Sequence, residues 1–263
     1  MLKQIERQGA GSPVLTLRSV RKRFGNVNVL NGVNAEIERG RVTAFIGPNG
    51  AGKTTLFHSV SGDLKIDSGT VEFTGRTING LPPWRIARMG LGKQFQDVRV
   101  FGALTCQENI LLALDDHGSQ SPVTSLLMAR RNSNRVGESC EKASHFLGMV
   151  GLDSESRRPA ETLSFGNQKL LAFARLMAGG FPFLLLDEPA SGVSPATIGK
   201  ILSTLRDAVR KEGRTVVLIE HNMSFVSDLA DTTYVLKDGM VFDCGPTAEV
   251  LARPQNRELC IGI

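Results

Sequence analysis

Long apolar runs are what this 263-residue sequence lacks most plainly. The strongest, FPFLLL (181–186) and TVVLIE (215–220), are short and bounded by polar residues, well below the ~18 apolar residues that a bilayer-spanning helix needs. They read as buried strands, so any membrane role has to come through a partner. Cysteine is equally sparse. Cys106, Cys140, Cys244 and Cys260 are scattered, with no CxxC pair and no histidine at zinc spacing, which excludes a disulfide framework or a zinc knuckle and fits a reducing compartment. There is one Trp and one Tyr. The basic clusters RKRF (21–24), ARRNSNR (129–135) and SRRP (156–159) therefore lack the interleaved aromatics of a nucleic-acid surface, and despite a net charge of +5 they read as solvated faces. The opening MLKQIERQGAGSP has no apolar centre of the kind a secretory signal carries and reads as a loose tail over 1–13. No internal repeat or low-complexity segment is evident.

What is present is alternation of strand and helix. Strand patterns fall at 14–20, 33–38, 41–47, 69–75, 181–187, 215–220 and 232–245, the last broken by the hairpin dipeptide Asp238-Gly239. Helical patterns fall at 53–61, 105–114, 137–149, 166–178, 195–211 and 223–230. Strands separated by helices predict an α/β fold with a parallel sheet, and the early strand pairs and final hairpin predict an antiparallel flank, a mixed arrangement. Between about 97 and 162 the strand signal disappears, which predicts an α-helical subdomain inserted into one domain spanning 14–254, followed by a tail over 255–263.

Five short stretches carry chemistry. GPNGAGKTT (47–55) fits G-x-x-x-x-G-K-[ST] through Gly47, Gly52, Lys53 and Thr54, and it lies between a strand and a helix as a phosphate loop must. Its backbone, including Asn49, Gly50 and Thr55, would wrap phosphates, Lys53 would sit on the β and γ groups, and the Thr54 hydroxyl would face Mg2+. FLLLDEP (183–189) is a buried strand ending in two carboxylates. Asp187 is the candidate for Mg2+, and Glu188, off the other side of the strand, is the candidate general base. IEHNM (219–223) sets His221 past the next strand, within reach of a γ-phosphate or attacking water. KQFQD (93–97) brings Gln96, an amide able to touch metal or water, to the end of a strand-like stretch. LSFGNQ (163–168) opens a helix with Ser164 and Gly166, either as a plain cap or as a second anion site.

Taken in chain order the stretches resemble the nucleotide-binding subunits of ATP-binding cassette transporters, from about Val14 to Val250, with FQD as the Q-loop, LSFGNQ as the C-loop, LLLDEP as Walker B, SGVSP as the D-loop and EH as the switch region. The resemblance implies an ATPase using Mg2+, in which Phe24 stacks on adenine and Ser164 and Gly166 reach the γ-phosphate held by a second cassette subunit, identical or related. It implies integral-membrane permease subunits as partners, a substrate-binding protein acting through them, no nucleic acid, and a place on the cytoplasmic face of the cell membrane. GLPPWRIARMGLGKQFQ and the polar insert near 115–136 are most similar to the branched-chain amino acid (Liv-type) importer group. Urea or short-amide importers, lipopolysaccharide exporters and soluble cassette ATPases are the alternatives. The sequence departs from the general pattern at Phe165 and Asn167 in the C-loop, at Ser194 where many members carry Asp or Asn, at Phe24 where Tyr is usual, and in the ending NRELCIGI.

Overall fold

The structure is a computed structural model and describes residues 13–94, 99–114 and 133–261. The chain divides into two compact units, one of residues 1–93, 182–191 and 205–263, the other of residues 94–181 and 192–204.

Two sheets build the first unit. β1 (Leu15–Phe24), β2 (Val27–Ile37), β4 (Ser68–Phe73) and β5 (Arg76–Thr77) form an antiparallel sheet in the order β2-β1-β4-β5. The second sheet runs β10-β9-β3-β8-β7-β6, from β3 (Val42–Ile46), β6 (Leu91–Gln94), β7 (Phe183–Asp187), β8 (Thr215–Ile219), β9 (Thr232–Lys237) and β10 (Met240–Pro246). Its centre is parallel, β3 with β8 and β9, and β8 with β7, whereas β10 returns antiparallel through the Asp238-Gly239 turn. VTAFI, FLLLD and TVVLI are buried at every position, as strands covered on both faces must be. The main core lies between the two sheets. Phe73 meets Phe183 edge-on at 5.2 Å, and Phe45 stacks on Tyr234 at 5.2 Å. The Tyr234 hydroxyl donates to Glu36 O and accepts from Glu36 N, at 2.9 and 3.1 Å, which ties β9 to β2.

Helices α1 (Lys53–Val60), α2 (Pro83–Arg88), α7 (Met223–Leu229), α8 (Thr247–Ala252) and α9 (Pro254–Ile261) belong to the same unit. α2, α8 and α9 have no counterpart in the helical pattern expected from sequence. All three are about two turns or shorter, and each opens at a proline, Pro83, Pro246 or Pro254, which reads in sequence as a break. The expected tail over 255–263 is thus corrected over its described part. Asn256, 1% exposed, donates to Asp243 Oδ2 at 2.6 Å and to Val250 O at 2.8 Å and holds α9 against β10 and α8.

The second unit is helical, with α3 (Cys106–Leu114), α4 (Ser133–Met149), α5 (Phe165–Ala178) and the first part of α6 (Pro195–Arg210). α3 starts in a capping box, where the Glu108 carboxylate accepts from Thr105 N at 2.8 Å and Thr105 Oγ1 accepts from Glu108 N at 3.2 Å. Ile110, Ala143, Leu147, Leu171 and Ala174 pack its interior. The unit is larger than the 97–162 insert expected from sequence, because α5 and the start of α6 share this core.

Candidate functional site

β3 delivers the chain to Gly47 at the carboxyl edge of the parallel sheet. Gly47 has φ +143°, and a Cβ there would lie 2.1 Å from Leu236 O; at Gly52, φ +96°, a Cβ would lie 2.6 Å from Val29 O. Only glycine fits these two close approaches. Between them Asn49 and Gly50 are exposed. α1 then begins at Lys53 with no side-chain cap and no acid in its first turn, so its leading amides and its dipole face outward as an anion site. Thr54 is exposed and Thr55 half-buried on that turn. Lys53 is buried and bends back to donate to Gly47 O at 2.8 Å and Pro48 O at 2.9 Å. Phe24, 49% exposed, ends β1 with the Lys22 ammonium 5.3 Å from its ring centroid.

Two strands along, β7 ends in Asp187, which is paired in register with Ile219 of β8. Asp187 is buried, and burial, then the charge of Glu188, pushes its carboxyl above the usual carboxylate range against the pull of Lys93, Lys53 and His221. Glu188 leaves the strand in the left-handed region, φ +47°, with its N–H on Ile219 O at 3.0 Å. Its Oε1 lies 3.2 Å from Nε2 of His221. Lys53, Asp187, Glu188 and His221 therefore lie together at the carboxyl edge of the parallel sheet. Gln96 lies outside the described residues. A cavity of about 500 Å³ lined by Met223, Ser227, Asp228, Leu251 and Arg257 contains none of these groups.

Sequence reasoning gave Glu220 no role of its own beside His221. It is 2% exposed, and its carboxylate accepts three peptide N–H groups: Ala190 at 2.7 Å, His221 at 3.1 Å and Asn222 at 3.2 Å. Burial pushes its carboxyl up, the three bonds pull it down, and the Glu188 charge adds to the rise. The available signal was an acid closing an otherwise apolar strand, the same signal that marked Asp187.

In the second unit Ser164 is the N-cap of α5, its hydroxyl oxygen accepting from Asn167 N at 3.3 Å. Gln168 Nε2 donates back to Ala160 O and Leu163 O, at 3.2 and 3.3 Å, and fixes the preceding turn. Ser164 and Phe165 are exposed and Gly166 half-buried, with Thr197 Oγ1 3.4 Å from where a Cβ on Gly166 would lie. The ring of Phe165 packs over Gly192, at 3.3 Å from the equivalent position there. Ser194 accepts from Thr197 N at 3.3 Å and so caps α6, a bond that the Asp or Asn of other members could equally accept.

The ABC transporter family pattern matches residues 30–191. The chain belongs to that family. The cassette is 36% identical over 244 residues to BraF of Pseudomonas aeruginosa, a high-affinity branched-chain amino acid transport ATP-binding protein, covering 92% of this chain and 95% of that relative. It superposes on the ADP conformation of an ATP-binding cassette of an ABC transporter with a TM-score of 0.80 at 30% identity, covering 95% of this chain and 99% of that one. A dimeric cassette in a post-hydrolysis state bound to ADP and Pi matches with a TM-score of 0.74 at 26% identity, over 89% and 98% of the two chains. These likenesses extend over both units of the cassette.

Proposed function

We propose that the chain is the ATP-hydrolysing subunit of an importer for branched-chain amino acids or a related small polar solute, acting through separate permease subunits at the cytoplasmic face of the membrane. The observation that carries the reading is the meeting of Lys53, Asp187, Glu188 and His221 at one sheet edge. The identity to BraF along nearly its whole length supports the solute class.

ATP lays its phosphates on the amides of 47–55, and Lys53 exchanges its bonds to Gly47 O and Pro48 O for the β and γ oxygens. Glu188 orients the attacking water and takes its proton, while His221, 3.2 Å from it, steadies the carboxylate and reaches the γ-phosphate. Thr54, Asp187 and, from sequence, Gln96 would hold Mg2+, which neutralises phosphate charge. Asp187 fits that task as a buried carboxylate with raised proton affinity and no hydrogen bond reaching it among the described residues.

Ser164 caps α5 and, through its remaining O–H and the helix amides, reaches the γ-phosphate of a second subunit, so two chains enclose two nucleotides. Loss of the γ-phosphate removes the bridge and loosens the pair. Purification of the complex from its native membrane, followed by a solute-binding screen of the binding protein that accompanies it, tests the whole reading. Recovery of the chain with no permease refutes the importer assignment, and a binding protein that retains neither an amino acid nor a related small polar solute refutes the solute class.

A further inference from the structure

Glu188 and His221 lie on separate turns, the first closed by Ser191 N–H on Glu188 O at 3.1 Å and the second leading into the helix that Asn222 caps. The Glu188 turn is strained, because a non-glycine residue at φ +47° costs about 1 kcal/mol or more and persists only where its surroundings over-determine it. On one side the restraint is Glu188 N–H on Ile219 O at 3.0 Å; on the other it is Ala190 N–H on Glu220 Oε1 at 2.7 Å. The second oxygen of the same carboxylate accepts His221 N and Asn222 N, at 3.1 and 3.2 Å. One side chain thus grips both turns, and the two groups that they present meet at 3.2 Å.

We infer that Glu220 is a positioning residue for ATP hydrolysis, whose carboxylate holds the Glu188 turn and the His221 turn in register. A carboxylate suits this place because its two oxygens accept several N–H bonds and donate none. A glutamine has one acceptor oxygen and turns an NH2 toward N–H donors, so it loses one grip or the other. Asparagine 222 adds a further tie, since its side chain caps α7 by accepting from Phe225 N at 3.1 Å, which anchors the His221 turn at its far end. Ala190 immediately precedes SGVSP, so the same carboxylate also fixes where the D-loop segment begins.

The inference rests on the roles proposed above for Glu188 and His221. The test compares Glu220→Gln, Glu188→Gln and His221→Ala in the full chain, with its permease partners where these accompany it. ATP turnover and ATP KM are measured with Mg2+, and the folded fraction is followed by thermal unfolding. The expected result for Glu220→Gln is a kcat lower by 10- to 100-fold, on the order of what a misplaced catalytic group costs, with KM changed by less than about twofold. The His221 13Cε1 resonance, assigned from His221→Ala, is expected to shift in Glu220→Gln. Should that variant fail to fold, Glu220→Asp, which keeps the charge but shortens the reach, takes its place under the same readouts.

A kcat that falls only in proportion to the folded fraction, with the His221 resonance unmoved, overturns the inference and leaves Glu220 a structural carboxylate. Loss of turnover in Glu188→Gln and His221→Ala with normal turnover in the Glu220 variant overturns this inference alone. Normal turnover in all three removes the site reading as well.

Discussion

Gly47 and Gly50 do different work in one loop. Gly47 combines φ +143° with a Cβ position 2.1 Å from Leu236 O, while Gly50, φ +81°, faces open space. Gly47→Ala should therefore disrupt packing between the phosphate loop and β9, lowering stability by several kcal/mol. Gly50→Ala should cost only the backbone term of about 1 kcal/mol. Urea unfolding of the two variants checks the difference, and equal losses would refute the steric account. The places of Gly47, Lys53, Asp187 and His221 at one sheet edge were legible from sequence because each ends or closely follows a strand. The work of Glu220 was not, because it depends on three backbone N–H groups, one of them 30 residues away.

Among elements, the fully buried strands β3, β7 and β8 were readable, as were the longer helices. The short C-terminal helices were not, since what holds α9 is Asn256 and its contacts rather than a period in the chain. Beyond α1 the chain is pinned to β6. Lys93 Nζ donates to Asp63 Oδ2 at 2.7 Å and to Ser61 Oγ at 3.2 Å. Burial alone would raise the Asp63 carboxyl, but the bonds from Lys93 and Ser61 outweigh it and hold the carboxyl below its usual value. A carboxylate so depressed contributes stability above its unfolded value, and that contribution fades as pH falls through the folded value. Asp63→Asn should thus cost about 1 kcal/mol at pH 7, discounted for the water that still reaches it. The gap from wild type should close on acidification below about pH 4, as unfolding titrations at pH 7 and pH 3 can show. In the second unit, Ser164→Ala removes the α5 cap and should cost about 1 kcal/mol; an unchanged thermal midpoint would show that the cap bond carries no stability.

At the scale of the molecule, the order of motifs along the chain made the family legible, and the second chain of the proposed function would meet a C-loop whose Ser164 and Phe165 are exposed. Glu188→Gln should bind ATP, hydrolyse it at a small fraction of the wild-type rate, and accumulate an ATP-dependent dimer on size exclusion. Ser164→Arg should bind ATP as a monomer and neither pair nor turn over. A Glu188→Gln chain that stays monomeric with saturating ATP would separate hydrolysis from pairing and argue against the shared site.

The posture of Lys53 bears on which anions can compete for this loop inside a cell. With its ammonium already bonded to two carbonyls of its own loop, the cradle's strongest charge keeps its sign but has two of its N–H donors engaged at rest. An incoming anion has to replace both bonds, and a lone orthophosphate offers too few contacts along the loop to do so, whereas the chained phosphates of ATP span it. Orthophosphate and sulfate should accordingly be poor inhibitors of ATP binding, leaving the site open to nucleotide even where small anions are abundant.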